Sequence, residues 1–198
     1  YIKTFEDQPG RELMTSLQYG THIHDDKKEI NQENYDDINI ENEMYGKGYE
    51  ITGQVDYIHP LSNDNKLEVG LKHIGRYTTN DYKTNIDNVD LISWLPEDGL
   101  NNVFQYNQLV TAAYVSGNFN LKNDWGLLSG LRYEMTNIFG DYKNVYDSFD
   151  NSYKNLVPSV TLSKKLNMFK TIKLSYTNRL RRPDVHKINT NTEISDLN

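Results

Sequence analysis

The sequence predicts an all-β fold, an antiparallel meander of about seven strands. Three observations predict it: a two-residue alternation of apolar and polar residues, connections that are short and long in turn, and a composition rich in strand and turn formers. Tyrosine occurs 15 times in 198 residues, and Asn, Asp, Lys and Thr fill the stretches between alternating segments. Tyr and Thr favour strands, whereas Asn and Asp favour turns.

The clearest alternation lies between residues 172 and 181. One parity carries Ile172, Leu174 and Tyr176, and the other carries Lys173, Ser175, Thr177, Arg179 and Arg181. Because successive side chains of a strand point to opposite faces, this segment has one apolar face and one polar face. The same pattern recurs at Leu67, Val69 and Leu71, and at Leu13, Leu17 and Tyr19.

The alternating runs and the breakers between them define the strands and their connections. The strands are predicted at residues 11–23, 49–57, 66–82, 104–120, 126–142, 153–164 and 172–182. The turns at 60–65 and 122–124 are short, whereas the connections at 24–48, 83–103 and 144–152 are long and polar. Tight turns at one end and long loops at the other are typical of a transmembrane up-and-down β-barrel. We therefore expect residues 1–198 to form one partial barrel domain with no internal boundary and no plug domain.

Composition excludes several other classes. A net charge of -7 and a pI near 5.2 argue against a nucleic-acid partner. The absence of cysteine excludes disulfides and thiolate chemistry. A mean hydropathy of -0.77 is too polar for a helical membrane protein, but a barrel shows only alternate residues to lipid. No secretion signal is visible at the start, and we expect the chain to be an internal fragment of a longer protein.

Aromatic residues concentrate near the ends of the predicted strands. Amphipathic rings favour the two membrane interfaces, so this placement predicts aromatic girdles. The residues concerned are Tyr57, Tyr77, Tyr82, Phe104, Tyr106, Phe119, Trp125, Phe139, Tyr142 and Phe169. The strand at 104–120 is apolar on both parities between Leu109 and Val115, so its lumen side is expected to pack against other groups.

An ordered set of short phrases resembles the barrel region of TonB-dependent receptors, especially those abundant in Bacteroidetes-like bacteria. Each phrase is weak alone, but their order spans most of the chain. They include Pro9-Gly10-Arg11-Glu12-Leu13, Gln54-Val55-Asp56-Tyr57-Ile58-His59-Pro60, Gly130-Leu131-Arg132-Tyr133-Glu134, Val157-Pro158-Ser159-Val160 and Leu174-Ser175-Tyr176-Thr177-Asn178-Arg179-Leu180-Arg181-Arg182-Pro183.

The resemblance implies a barrel of about 22 strands in the outer membrane of a Gram-negative bacterium, closed by a plug domain. It implies four partners: outer-membrane lipid, a plug domain of the same polypeptide, the TonB complex and an unidentified nutrient. No plug sequence and no TonB-contacting segment can be pointed to here. The tail at 188–191 also departs from the family pattern.

Four arginines are the candidate substrate-binding residues: Arg76, Arg132, Arg179 and Arg181. With Lys72 they share the predicted polar face, which also carries Glu12, Glu50, Asp56, Glu68 and Glu134. One interpretation is a charged lumen that guides a substrate. The other, which the sequence favours, is a set of ion pairs that brace the barrel wall or meet a plug.

Metal and catalytic sites find little support. The acidic stretch from Asp25 to Glu43 offers oxygen ligands for Ca²⁺, but its spacing does not match a 12-residue EF-hand loop. Of five histidines only His22 and His24 are closely spaced. No nucleophile and base are arranged for catalysis, and no glycine-rich phosphate loop is present. We expect no cofactor, no metal site and no enzymatic activity.

Three functional hypotheses remain open from the sequence. The first is nutrient transport across the outer membrane as part of a TonB-dependent receptor, with a siderophore, glycan, peptide or cobalamin as substrate. The second is a barrel that does not transport, acting as a scaffold or pore in a surface or secretion assembly. The third is a soluble all-β ligand-binding module.

Overall fold

A computed structural model describes residues 1–32, 38–62, 64–86, 101–143 and 147–180 of the chain. These residues form one antiparallel sheet of eight strands, in which each strand pairs with its neighbours in sequence. The strands are β1 (Ile2–Thr4), β2 (Glu12–Gln32), β3 (Ile38–Pro60), β4 (Lys66–Ile86), β5 (Asn102–Leu121), β6 (Trp125–Tyr142), β7 (Asp147–Asn167) and β8 (Lys170–Thr177).

All seven predicted strands are present, and the antiparallel meander is confirmed. The short β1 was missed because three residues give no alternation to detect. The predictions of long loops over 24–48 and 144–152 were wrong, since β2 continues to Gln32, β3 begins at Ile38 and β7 begins at Asp147. In the other direction, β8 ends at Thr177 rather than at residue 182, and residues 181–198 lie outside the described part of the chain.

The extended hairpin of β2 and β3 combines charged pairs with one apolar row, in which the buried Ile40 lies between Ile30 and Ile86. Lys27 lies opposite Glu43, and the Lys27 Nζ atom is 2.6 Å from Oε1 of Glu41. This hydrogen bond raises the pKa of Lys27 and lowers the pKa of Glu41, so both groups are charged at neutral pH. A strand with water on both faces does not require apolar residues on one of them, so the apolar–polar alternation is absent from this part of β2 and β3.

The register assigns every strand residue to one of two faces. We call the outer face the one that carries Leu17, Val55, Leu71, Leu131 and Val160, which lie beside one another across the strands or two residues apart along them. We call the inner face the opposite one, which carries Gln54, Lys72, Ala112 and Glu134 in a single row across β3 to β6. The lower end of the sheet is the end with the connections at 61–65, 122–124 and 168–169, and the upper end is the end with the connections at 33–37, 87–101 and 143–146.

The outer face is apolar in its lower part and charged above. On β4 the outward residues Leu67, Val69 and Leu71 lead up to Tyr77, beyond which Asp81 and Lys83 follow. Leu17, Leu71 and Leu174 are 80%, 61% and 73% exposed. Since β2 to β8 each contribute a similar apolar stretch next to their lower ends, these stretches form a continuous band across the sheet.

Two of the tight lower turns use residues that tolerate left-handed backbone. Asp64 lies in the turn between β3 and β4, and Asn123 and Asp124 lie between β5 and β6, each with φ of 58°. Asn and Asp accept this conformation because their short side chains bond to the local backbone. The lower end therefore consists of compact hairpins, as the sequence predicted. The described residues contain no helix long and apolar enough to cross a membrane.

The buried residues lie on the inner face. Phe104, Tyr106, Val110, Ala112, Ile138 and Tyr142 are each at most 5% exposed, together with the polar Thr52, Asp56, Gln108, Glu134 and Thr136, which are at most 7% exposed. The prediction that the lumen side of β5 packs against other groups is thus confirmed at Val110 and Ala112. A sheet that buries one face against itself must curve toward that face.

The aromatic girdle prediction was correct for only part of its residues. Tyr57, Tyr77, Phe119, Trp125 and Phe139 lie on the outer face, and Tyr77 stacks on Tyr49 with ring centroids 4.7 Å apart. For Tyr82, Phe104, Tyr106 and Tyr142 the prediction was wrong, because these four residues have the opposite parity and point to the inner face. Phe169 lies in the lower turn between β7 and β8 and is 92% exposed.

Candidate functional site: the inner face

The inner face carries the charged residues that the sequence placed on one polar surface. Glu12, Glu50, Asp56, Glu68, Lys72, Arg76, Arg132 and Glu134 all share its parity. Two of the four candidate arginines, Arg76 and Arg132, lie among them. Both are paired with a carboxylate.

Arg76 is the centre of an upper network that joins three strands. Its Nε atom donates to Oε2 of Glu50 at 2.5 Å, and its Nη1 atom donates to Oε1 of Gln108 at 2.8 Å. Gln108 in turn donates through Nε2 to the Tyr106 hydroxyl at 3.0 Å. The arginine therefore ties the polar wall to the aromatic residues above it.

Arg132 belongs to a lower network. It donates through Nη2 and Nε to Oε2 of Glu134, at 2.9 and 3.0 Å, and Glu134 is only 3% exposed. Its guanidinium also lies 6.0 Å from the ring centroid of Tyr114. The Tyr114 hydroxyl donates to Oδ1 of Asp56, and Gln54 donates to Oδ2 of Asp56 at 2.8 Å. This network braces β3, β5 and β6 at mid-height.

The other two candidates are placed differently. Arg179 lies beyond the end of β8 with an exposed side chain, and Arg181 lies outside the described residues. Lys72 lies on the inner face next to Gln54 and borders a cavity of about 370 Å³ together with Tyr114 and Arg132. Arg76 thus joins neighbouring strands through its ion pair with Glu50, the arrangement the sequence favoured, whereas Arg132 pairs with Glu134 of its own strand.

Gly70 leaves the space that the Tyr114 ring occupies. A Cβ atom at Gly70 would clash with the end of that ring and stand 2.6 Å from Oδ1 of Asp56. We expect Gly70→Val to displace Tyr114 and to lower the free energy of unfolding by about 2–4 kcal/mol, because overpacking and a lost hydrogen bond add. Urea unfolding of the full-length barrel in lipid vesicles measures this.

Gly20 provides the matched control. It lies on the inner face of β2, and a Cβ atom there would meet nothing within 4 Å. Gly20→Val should therefore leave stability unchanged or raise it slightly, since a β-branched residue suits a strand. Equal effects of the two substitutions would contradict the role assigned to Tyr114.

An aromatic cluster occupies the upper part of the inner face. It consists of Phe104, Tyr106, Ile138 and Tyr142, with Tyr82, Phe149 and Tyr153 packed against it. The Phe104 and Tyr142 rings stack with centroids 4.6 Å apart. Sequence reasoning assigned four of these residues to a girdle. The shared parity of Phe104 and Tyr106 with the buried Val110 and Ala112 was the signal that could have corrected it.

Metal-ligating groups do not converge in the part of the chain that the structure describes. No three or more His, Asp or Glu side chains are grouped there in a way that could hold a metal ion. His22 and His24 share the inner face of β2, and His24 Nε2 is 4.0 Å from Oδ2 of Asp26. From the acidic stretch that was considered for Ca²⁺, Glu33, Asp36 and Asp37 lie outside the described residues.

The fold and the two faces define the class of protein. Antiparallel strands joined by tight turns at one end, with an apolar band on one face and a polar lining on the other, form the wall of a transmembrane β-barrel. Residues 3–198 match the profile of the outer membrane protein beta-barrel family, and the chain belongs to that family. It is thus a section of a barrel in the outer membrane of a Gram-negative bacterium, and the soluble-module hypothesis was wrong.

Two solved structures are similar in fold. The ferric citrate transporter FecA, in its unliganded form, covers 83% of this chain with a TM-score of 0.57 and 12% identity. The ferric yersiniabactin uptake receptor FyuA from Yersinia pestis covers 81% with a TM-score of 0.56 and 8% identity. The chain spans 24% of the length of each. No curated protein matches it in sequence.

Proposed function

We propose that this chain forms part of the barrel wall of a TonB-dependent receptor that carries a nutrient across the outer membrane. The observation that supports this most strongly is the fold shared with the barrels of FecA and FyuA, both of which take up ferric ligands. The substrate belongs to one of four classes: siderophores, glycans, peptides or cobalamins. The rest of the polypeptide supplies the remaining strands, the plug domain and the segment that meets the TonB complex.

In this proposal the inner face lines the transport pathway. The strands reach well above the apolar band, so the aromatic cluster lies near the external mouth, where a substrate enters. Arg76 and Arg132 lie below it, Arg76 joining β4 to β3 through Glu50 and Arg132 paired with Glu134 on β6. Arg179 and Arg181 stay predicted substrate contacts.

Three polar atoms support the view that the inner face meets further groups. Among the described residues four buried side-chain atoms have no hydrogen-bond partner, and three of them are Thr136 Oγ1, Tyr153 OH and Asn155 Nδ2. They lie together, because Thr136 is opposite Tyr153 and Asn155 is opposite Glu134. Since buried polar groups are normally paired, we assign their partners to the plug domain.

Uptake by whole cells tests the proposed function. A strain that lacks the full-length gene should lose energy-dependent uptake of one member of a panel of ferric siderophores, cobalamin, oligosaccharides and peptides. A second strain that lacks TonB should show the same loss. Uptake that persists without TonB would instead indicate a passive pore, and an unchanged panel in both strains would contradict a role in transport.

A further inference from the structure

A polar pair of side chains lies inside the apolar band of the outer face. His73 has outer-face parity on β4, and its Nδ1 atom is 2.9 Å from Oγ1 of Thr111 on β5. Both residues are exposed. Leu71 lies just below His73 on the same face, and Tyr77, whose ring stacks on Tyr49, lies four residues above it. Since such aromatic pairs lie at the boundary between hydrocarbon and headgroups, His73 faces the hydrocarbon.

The ring of His73 has one nitrogen that the sheet does not pair. Thr111 contacts Nδ1, whereas Nε2 has no hydrogen-bond partner among the residues that the structure describes. Lipid chains offer neither a donor nor an acceptor, so a polar atom that faces them is left without the hydrogen bonds it makes in water. Polar side chains at this depth are rare and normally meet another protein group. The Nε2 atom thus indicates a protein contact on the lipid-facing surface.

A recess lies directly beside the histidine. Gly53 is the cross-strand partner of His73 on β3, and a Cβ atom at Gly53 would meet nothing within 4 Å. Because glycine has no side chain, another protein can approach the backbone closely here. The groove over this glycine has a volume of about 650 Å³, and its outer-face lining includes Leu17, Val55, Leu71, His73 and Thr111.

The projecting ring and the recess form a surface that is complementary to itself. Cross-strand partners are about 5 Å apart, so His73 and Gly53 lie at similar heights in the membrane. A twofold axis along the membrane normal that passes between them places the ring of each copy over the glycine of the other. This isologous arrangement is the commonest in homo-oligomers. A lipid chain, in contrast, would fill the recess but leave Nε2 without a partner.

We propose that the outer face at His73 and Gly53 is the contact surface of a homodimer in the membrane. The two His73 rings meet at the twofold axis, where Nε2–H of one ring donates to Nε2 of the other. This pairing requires opposite tautomers in the two copies. The Thr111 hydroxyl suits both, because it donates to Nδ1 of one ring and accepts from Nδ1–H of the other.

The contact surface lies on the opposite side of the wall from the lumen. Gln54 and Lys72, the chain neighbours of Gly53 and His73, belong to the inner face. Dimerisation therefore leaves the inner face of each copy unchanged, and substitutions on the contact surface alter association without altering the residues that line the lumen.

Sedimentation equilibrium of the full-length protein in detergent micelles tests the proposal. We expect a monomer–dimer equilibrium for the unchanged protein. Gly53→Leu fills the recess and should raise the dissociation constant by about tenfold or more, because the ring of the second copy then clashes with the added side chain.

His73→Leu separates a contact role from a structural one. It removes the hydrogen bond between the two copies and should also raise the dissociation constant by about tenfold. Leucine suits hydrocarbon better than histidine does, so urea unfolding in vesicles should show a monomer at least as stable as the unchanged one. A residue that only supported the fold would not combine weaker association with undiminished stability.

Ser129→Leu provides the matched control. Ser129 lies on the outer face of β6, opposite Gly117 and Val160 and away from the groove. This substitution also places a leucine in the apolar band, so it reports any effect of added apolar surface in micelles. Its dissociation constant should equal that of the unchanged protein.

Three results would overturn the proposal. The first is a protein that is monomeric at every concentration in micelles and also in native mass spectra of membrane vesicles. The second is a dimer that Gly53→Leu and His73→Leu leave as tight as Ser129→Leu does. The third is a stoichiometric complex with a different membrane protein that Gly53→Leu disrupts while no dimer forms, which would assign the groove to that partner.

Discussion

Phe104→Ala is expected to lower the free energy of unfolding by about 3–5 kcal/mol. Phe104 is fully buried, and its ring stacks on Tyr142 and contacts Tyr106, whose ring centroid is 6.2 Å away. Truncation leaves a cavity at the centre of the aromatic cluster and removes the stacking contact. Urea unfolding of the full-length barrel in vesicles measures the loss.

Two further variants separate volume from ring contact. Phe104→Leu keeps most of the side-chain volume and should lower the free energy of unfolding by less than about 2 kcal/mol. Phe169→Ala removes the same side chain from the exposed lower turn and should change stability by less than about 1 kcal/mol. If Phe104→Ala and Phe169→Ala were equally mild, the aromatic cluster would not be a core of the wall.

Leu71→Arg is expected to be the most damaging change on the outer face. Leu71 lies between Val55 and Ala113 in the apolar band and is 61% exposed. In water, an arginine at so exposed a position would be nearly neutral. In the hydrocarbon core it costs about 2–4 kcal/mol, so this variant should insert poorly into vesicles and unfold at lower urea.

Thr79→Arg is the control for height above the membrane. Thr79 lies on the same strand and face, just above Tyr77, where the outer face has become polar. We expect this variant to insert and unfold like the unchanged protein. Equal damage at both positions would show that the top of the apolar band does not lie at Tyr77.

The parity of the sequence predicted the sheet and its two faces because lipid imposes the alternation directly. Only a strand places Leu67, Val69 and Leu71 toward the hydrocarbon while Glu68 and Lys72 face the lumen. Above the membrane that constraint ends, and residues 24–32 pair with residues 38–46 without the alternation that would distinguish a strand from a loop. Whether these residues form strands depends on which residues lie opposite them on the neighbouring strand. The sequence of one segment alone does not show that pairing.

The inner face was harder to predict than the outer face. Arg76 and Arg132 were placed on it correctly, but their partners depend on which residues the register brings opposite, as with Arg76 between Glu50 and Gln108. The aromatic cluster was missed because aromatic rings near strand ends also suit a membrane interface, although Phe104 and Tyr106 share the parity of Val110 and Ala112. Tyr142 joins them only through the pairing of β5 with β6.

The apolar band does not follow one row of backbone hydrogen bonds. The row that contains Leu17, Gly53, His73, Thr111, Met135 and Lys154 begins inside the band on β2 and ends above it on β7. The strands therefore slant across the membrane, as barrel closure requires. Residues that are directly bonded neighbours consequently meet different solvents. Tolerance to substitution should accordingly follow depth in the bilayer. If tolerance were plotted on the flattened sheet, positions of equal tolerance would form stripes that run diagonally to the hydrogen-bonded rows.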